Sequence, residues 1–250
     1  MMNFIYSVQS EWIKTKRSSA SWLCIIGGFF IPLIYLLKFF YDGNSINSYK
    51  VEIWKLLFNQ MWQNMATFLL PMGVILASSL IAQLEFKNNT WKQVHSSPQS
   101  FTRIFFAKFT VIALMTLKFF LFFNIGILVA GVLPSLVFDH KLPIQVIPIT
   151  YFLRANFNYF VTCLPILAIQ YLISLKFNNF LIAVGIGLLG LIGSLIGISW
   201  KHIYLSPYSY SAMTVFPAKK DFPIYSYAFV YFLIIMAISY VIYVSKKEKG

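Results

Sequence analysis

The chain has 250 residues, of which 59% are hydrophobic, 19% aromatic and only 11% charged, and its mean hydropathy is +0.72. A soluble domain carries about 25% charged residues, so this composition excludes a soluble protein and indicates an integral membrane protein. The formal net charge of +13 is then explained by loop lysines and arginines that face lipid headgroups, and no nucleic acid partner is expected.

The first element, residues 1–19, is predicted to be an amphipathic helix that lies in the membrane interface. Phe4, Ile5, Val8 and Trp12 fall on one side of a helical wheel, and polar and basic residues fall on the other. The alternative is a disordered cytoplasmic tail. The residues assigned to this interfacial helix are Glu11, Trp12, Lys14, Lys16 and Arg17.

Six apolar runs follow, each long enough for the roughly 20 helical residues that a bilayer core requires. They lie at about 20–40, 61–83, 107–133, 152–175, 179–199 and 225–244. Neither a repeat nor a soluble domain interrupts them, so we predict one all-α membrane domain over residues 1–250. Basic residues near both ends of the chain favour cytoplasmic N- and C-termini.

A polar segment, 84–106, separates the second and third runs. Its sequence contains Ser97-Pro98, a pattern typical of a helix start because serine caps the helix and proline tolerates the first position. We therefore predict a helix at the cytoplasmic surface that turns into the third span. The residues alone leave two alternatives open, a solvated loop and a platform that binds a cytoplasmic partner.

Small residues recur at helical spacing in the first and fifth spans. Such spacing lets helices approach closely, either within the chain or between subunits, and both alternatives stay open. The residues concerned are Gly27, Gly28, Gly190, Gly193, Ser194 and Gly197.

Polar side chains inside or beside the spans mark further candidate sites. Lys118 lies within the third span, where it either has a functional role or extends its amine to the membrane surface. Arg154, Asn156 and Asn158 open the fourth span and either line a cavity or anchor the helix at the interface. The loop 200–224 is rich in tyrosine, which indicates an aromatic belt or a re-entrant element.

The sequence offers little for an enzyme. Cys24 and Cys163 lie in apolar runs, and the three histidines lack metal-ligand spacing. Ser194 and His202 could imitate a serine protease dyad, but packing explains Ser194 better. The phosphate-binding pattern G-x-x-x-x-G-K-[ST] does not occur, so we expect no cofactor on this chain.

Two stretches together resemble the permease subunits of ABC-2-type transporters, especially the small six-span permeases of lantibiotic and bacitracin self-protection. The first is "SVQSEWIKTKRSSASWL" (7–23), with Glu11, Lys14, Lys16 and Arg17 at the matching positions. The second is "LEFKNNTWKQVHSSPQSFTRIFFAKF" (84–109), with Asn88-Asn89 where the family often has glycine. The resemblance implies that the ATPase docks on Glu85, Lys87, Thr90, Trp91, Lys92, His95, Pro98 and Ser100. Lys108 also matches the family pattern.

The resemblance implies a cytoplasmic coupling helix between spans two and three that sits on an ATP-binding subunit. It further implies a bacterial inner-membrane exporter of a peptide antibiotic or another amphipathic molecule. ATP and magnesium would be bound by two copies of the partner ATPase, and a second permease, identical or sibling, would complete the membrane part. The alternative is an ATP-independent secondary transporter or a membrane assembly scaffold.

Overall fold

The computed structural model describes residues 2–16, 18–42, 53–87, 100–137, 147–177, 179–216 and 222–248. Within these ranges the chain is helical and contains no strand. The α-helices are α1 Met2–Thr15, α2 Ser19–Asp42, α3 Ile53–Asn64, α4 Leu70–Lys87, α5 Phe101–Val137, α6 Ile149–Lys176, α7 Phe180–Ile196, α8 Tyr210–Met213 and α9 Ile224–Glu248. A π-helical turn, Met65–Leu69, joins α3 to α4, and short 3₁₀ turns precede α8.

Six helices in the described residues are long and apolar enough to cross a membrane, as the sequence predicted. These spans are Ser19–Tyr41, Ile53–Leu84, Phe101–Pro134, Ile149–Lys176, Phe180–Ser199 and Ile224–Ser245, called spans one to six below. Span two contains α3, the π turn and α4. Spans two and three begin well before the apolar runs that predicted them, because their first turns carry polar residues.

Spans two, three and four form the centre of the bundle. Within their most apolar windows 56%, 50% and 50% of residues are buried, against 28%, 22% and 22% in spans one, five and six. The main core is correspondingly built from Phe58, Trp62, Ile112, Phe123 and Leu167. The three outer spans therefore present most of their surface to lipid or to other chains.

Spans one and three pack closely against each other. A Cβ on Gly28 would lie 3.0 Å from the backbone oxygen of Phe119, and one on Gly126 would lie 2.7 Å from the Pro32 ring. Gly27 faces the Phe119 ring at 3.1 Å. Both predicted glycines of span one thus serve packing within this chain.

The glycines of span five divide into two groups. A Cβ on Gly187 would meet Gln170 Oε1 at 2.5 Å, and one on Gly190 would meet the Tyr208 ring at 2.7 Å. By contrast, among the described residues a Cβ on Gly193 would have no neighbour within 4 Å, and one on Gly197 would touch only Ile203 at 3.7 Å. Packing within the chain therefore does not account for Gly193, which leaves the alternative of a contact between subunits.

Lys118 extends along span three toward the start of span one. Its Nζ donates a hydrogen bond of 2.6 Å to Ser21 Oγ and lies 5.9 Å from the centre of the Phe122 ring. Because Ser21 lies in the first turn of span one, the amine is directed toward the end of the bundle where spans one and three begin. This geometry agrees with the alternative in which the lysine extends to the membrane surface.

The helix α1 packs against span three, with a buried face that differs from the predicted one. Ser7, which the helical wheel placed on the outward polar side, is only 3% exposed, and Thr15 is also buried. Ile5 and Ile13 are exposed, while Glu11 forms an ion pair with Lys14. Among the residues assigned to this helix, Trp12 is half-buried, Lys16 is exposed and Arg17 lies outside the described residues.

Candidate functional site in span two and the segment before span six

The π turn at Met65–Leu69 has a local cause in the sequence. Pro71 lacks a backbone N–H and cannot donate to the carbonyl one turn before it, so the ordinary helical pattern cannot continue there. The N–H of Leu70 instead bonds to the oxygen of Met65, five residues back, and Thr67 Oγ1 donates 2.6 Å to the Gln63 oxygen. Single π turns inside α-helices occur frequently at functional sites.

A row of neutral polar side chains lies on one face of span two before and within this turn. Asn59, Gln63 and Asn64 are exposed, and Gln60 and Thr67 are half-buried. We call these five residues the polar face of span two. Because lipid tails cannot form hydrogen bonds, an exposed row of amides is favourable only where it meets water, protein or a polar ligand.

Hydrogen bonds fix both the position and the depth of the polar face. Tyr151 OH, in the first turn of span four, donates 2.7 Å to Asn59 Oδ1. Asn64 Nδ2 donates 2.9 Å to Tyr35 OH of span one. The face thus starts at the end of the bundle where span four begins and continues about two helical turns inward.

The segment 203–213, between spans five and six, lies beside the π turn, and most of its residues are buried. It consists of 3₁₀ turns and the short helix α8, and it packs against the π turn, span four and span five. Tyr208, Ser209, Tyr210, Ser211, Ala212 and Met213 are all buried. The sequence interpretation of a re-entrant element in the loop 200–224 fits this arrangement, and we call residues 203–213 the buried segment.

The polar groups of the buried segment are satisfied locally. Ser209 Oγ donates 2.8 Å to the Ser206 oxygen, and Tyr210 OH donates 2.8 Å to the Tyr204 oxygen. Ser194 Oγ of span five contacts Ser206 Oγ. Gly190 and Ser194, the predicted small-residue pair, thus accommodate this segment rather than a neighbouring helix.

Two tyrosines of the buried segment keep their protons over the physiological range. Burial raises the pKa of Tyr208 to about 12. Burial, together with the neighbouring phenols Tyr231 and Tyr227, raises the pKa of Tyr210 still further. Tyr210 OH therefore remains a hydrogen-bond donor at any pH at which cells grow.

Trp62 links span two to the buried segment. Its indole stacks on the Tyr159 ring with centroids 4.0 Å apart and planes 5° from parallel. Tyr159 in turn shares a side-chain hydrogen bond with Thr214, immediately after α8. Phe120 and Phe123 meet the indole edge-on. The indole Nε1 has no hydrogen-bond partner in the described part of the chain.

The structure places only part of the predicted docking segment. Glu85 and Lys87 lie in the last turn of α4, and Ser100 is an exposed residue whose oxygen accepts the N–H of Arg103 and Ile104. The remaining predicted residues lie outside the described part of the chain, as does the predicted helix start at Ser97: Thr90, Trp91, Lys92, His95 and Pro98. The described ends of 84–106 are continuations of spans two and three.

The other predicted residues take different positions. Arg154 is exposed, Asn158 is half-buried, and Asn156 forms a pair with Asn124 of span three. Ser194 and His202 do not form a dyad, because the serine bonds to the Gly190 oxygen and the histidine to Tyr204 OH. In the described residues no group of His, Cys, Asp and Glu side chains could hold a metal ion.

Comparison with known families gives one match, to the model of the ABC-2 family transporter proteins, over residues 7–194. The chain belongs to this family. A comparison with curated proteins gives no match. The matched region includes most of α1, the first four spans and most of span five, and therefore the polar face of span two, while the whole buried segment follows it.

Membership in the ABC-2 family makes the chain a multi-pass membrane protein and a permease component of an ABC transporter. Such a component is a transport subunit that works with an ATP-binding partner. The six spans, the polar row on span two and the buried segment are therefore parts of a membrane transport device.

Proposed function

We propose that this chain is the membrane subunit of an ATP-driven ABC exporter in the cytoplasmic membrane of a bacterium. The observation that carries the proposal is the family match over residues 7–194. The sequence lacks the P-loop pattern that binds ATP, so ATP and magnesium belong on a partner ATPase, present in two copies. Its cargo is an amphipathic molecule, and the resemblance to self-protection permeases favours a peptide antibiotic.

The partner ATPase docks on segment 84–106, at the same end of the bundle as both chain termini, which lies in the cytoplasm. Two observations support this position. Lysines and arginines flank span one before its start and span six after its end, as expected for cytoplasmic ends. Span two also forms a continuous helical connection from this segment to the polar face, so a displacement at one end reaches the other.

Reversing two charges of the docking segment tests this proposal. In Glu85→Lys combined with Lys92→Glu, we expect co-purification of the ATPase to fall at least about tenfold, because charge pairs across an interface fix its register. The exposed Lys38→Glu, toward the opposite end of span one, is the control and should leave association unchanged.

The variant must still insert into the membrane and elute as a single species. If it binds the ATPase and stimulates hydrolysis as the natural chain does, the docking segment lies elsewhere. Transport that continues with a Walker-lysine variant of the ATPase and stops with a protonophore would instead support a secondary transporter.

The polar face of span two lines the path of the cargo. Its exposed amides require a polar environment, and the outer spans are too sparsely buried for this chain to enclose a path alone. A second permease, identical or sibling, therefore completes the path. The exposed flank of span five that carries Gly193 offers the close contact such a partner would use.

Cysteine labelling tests the path and the orientation together. On a background with Cys24 and Cys163 replaced by alanine, an impermeant thiol reagent should label Gln63→Cys in intact cells. The control Ile234→Cys, at an exposed apolar position in the middle of span six, should react at least about tenfold more slowly, because a thiol in lipid stays protonated.

Asn3→Cys should be shielded until the cells are opened. Labelling of position 3 in intact cells would reverse the proposed orientation. Equal rates at positions 63 and 234 would show that the amide row faces no water-filled path.

A further inference from the structure

A groove of about 550 Å³ runs between spans three and four on the side that faces the membrane. Its walls are apolar and well exposed: Leu121 is 59%, Leu153 66% and Phe157 65% accessible. Phe120, Phe152 and Phe160 complete the aromatic part of the lining. The groove is separate from the polar face of span two and from the buried segment.

Two asparagines form the polar part of the groove. Asn124 Nδ2 donates 2.9 Å to Asn156 Oδ1, and Asn156 Nδ2 donates 3.0 Å to Asn124 Oδ1. Each amide also donates 2.7 Å to the carbonyl one turn before it, on Phe120 and Phe152. Both N–H groups of both amides are therefore used.

The side-chain oxygens retain unused capacity. A carbonyl oxygen accepts two hydrogen bonds, and each of these oxygens accepts one from the opposite amide. The pair therefore offers further acceptors to the groove and no donors. Among the described residues that line the groove there is no lysine, arginine, aspartate or glutamate.

The depth of the pair decides which molecule satisfies it. Asn156 lies about two turns, or about 10 Å, into span four, below the headgroup level. A diacyl phospholipid brings only hydrocarbon and ester acceptors to this depth, so it leaves the second acceptor site of each amide oxygen unused. A hydroxyl group of a lipid lacks a hydrogen-bond partner among acyl chains, and one of these acceptor sites provides it.

We propose that this groove is a binding site for a neutral lipid that carries a free hydroxyl group, with its acyl chain against Leu121, Leu153 and Phe157. The hydroxyl donates to Asn124 Oδ1 or Asn156 Oδ1. Lipid binding at this site needs neither the ATPase nor transport, so it can be tested independently of the proposed function.

The test uses the purified full-length chain in phosphatidylcholine nanodiscs, without an ATPase. The probe is a monoacylglycerol with a diazirine in its acyl chain, and the matched probe is its dimethyl ether, which has the same chain but no donor. We expect labelling that maps to Leu121 and Phe157 to be about fivefold higher with the free hydroxyls, the ratio for one neutral hydrogen bond of about 1 kcal/mol. Equal labelling by the two probes, or labelling that maps elsewhere, overturns the site.

A double variant, Asn124→Leu with Asn156→Leu, gives the second arm. It removes both partners together and so leaves no orphaned amide, and it should abolish the preference for the hydroxyl probe while both probes still enter the groove. Asn158→Leu, on the same helix but outside the lining, is the control and should keep the fivefold preference. A preference that persists in a folded double variant would show that the asparagines are not the acceptors. If the double variant does not fold, the comparison of the two probes on the natural chain decides whether the site exists.

Discussion

Replacing Trp62 by alanine is expected to lower the free energy of unfolding by about 3–5 kcal/mol, the range for removing a large buried aromatic side chain. The indole is fully buried, stacks on Tyr159 and meets Phe120 and Phe123 edge-on. Its loss leaves a cavity where spans two, three and four meet. Thermal unfolding of the detergent-solubilised chain measures the effect.

Two control variants separate ring packing from other effects. Trp62→Phe keeps an aromatic ring and removes an N–H that has no hydrogen-bond partner, so it should cost much less than alanine. Trp200→Ala, at a tryptophan that is 58% exposed, should have little effect. Similar losses at positions 62 and 200 would show that Trp62 does not hold the three spans together.

Gly187→Leu is expected to destabilise the chain by up to about 3 kcal/mol, because a larger side chain in a filled site forces the backbone apart. Even a Cβ would meet Gln170 Oε1 at 2.5 Å and Ile75 Cγ2 at 2.7 Å. The Gln170 side chain cannot easily move aside, since its Nε2 donates hydrogen bonds of 2.8 Å to both Ser79 Oγ and the Ala183 backbone oxygen. Thermal unfolding and the fraction of monodisperse protein report the loss.

Gly193→Leu provides the matched control on the same helix. Among the described residues a Cβ there has no neighbour within 4 Å. The isolated variant should therefore unfold at the same temperature as the natural chain. If leucine is tolerated equally at both positions, the contact of spans two, four and five is looser than the structure describes.

The number of spans was predictable because twenty-residue apolar runs are rare outside membranes. The beginning of span two was not, since Asn59, Gln60, Gln63 and Asn64 lower the hydropathy of its first turns. Those amides recur at helical spacing, and that period was the signal for a helix with one polar face. Hydropathy averages over all faces of a helix and so misses such a row.

The candidate site was harder to predict than the fold. The spacing of glycines in span five indicated a close contact, but it could not show that Gly190 faces a tyrosine of the buried segment while Gly193 faces outward. That distinction depends on the rotation of the helix, which only packing determines. Pro71, seven residues after Asn64, was the available signal for the π turn.

The buried segment has a consequence for biogenesis. Its partners in the π turn, span four and span five are all synthesised before it, so they leave the ribosome ahead of the segment itself. Span six follows and covers the segment, with Tyr231 edge-on to Tyr210 and Ala228 in the same cluster. Maturation of the permease can therefore proceed vectorially, and the last helix to leave the translocon seals a bundle that is already assembled.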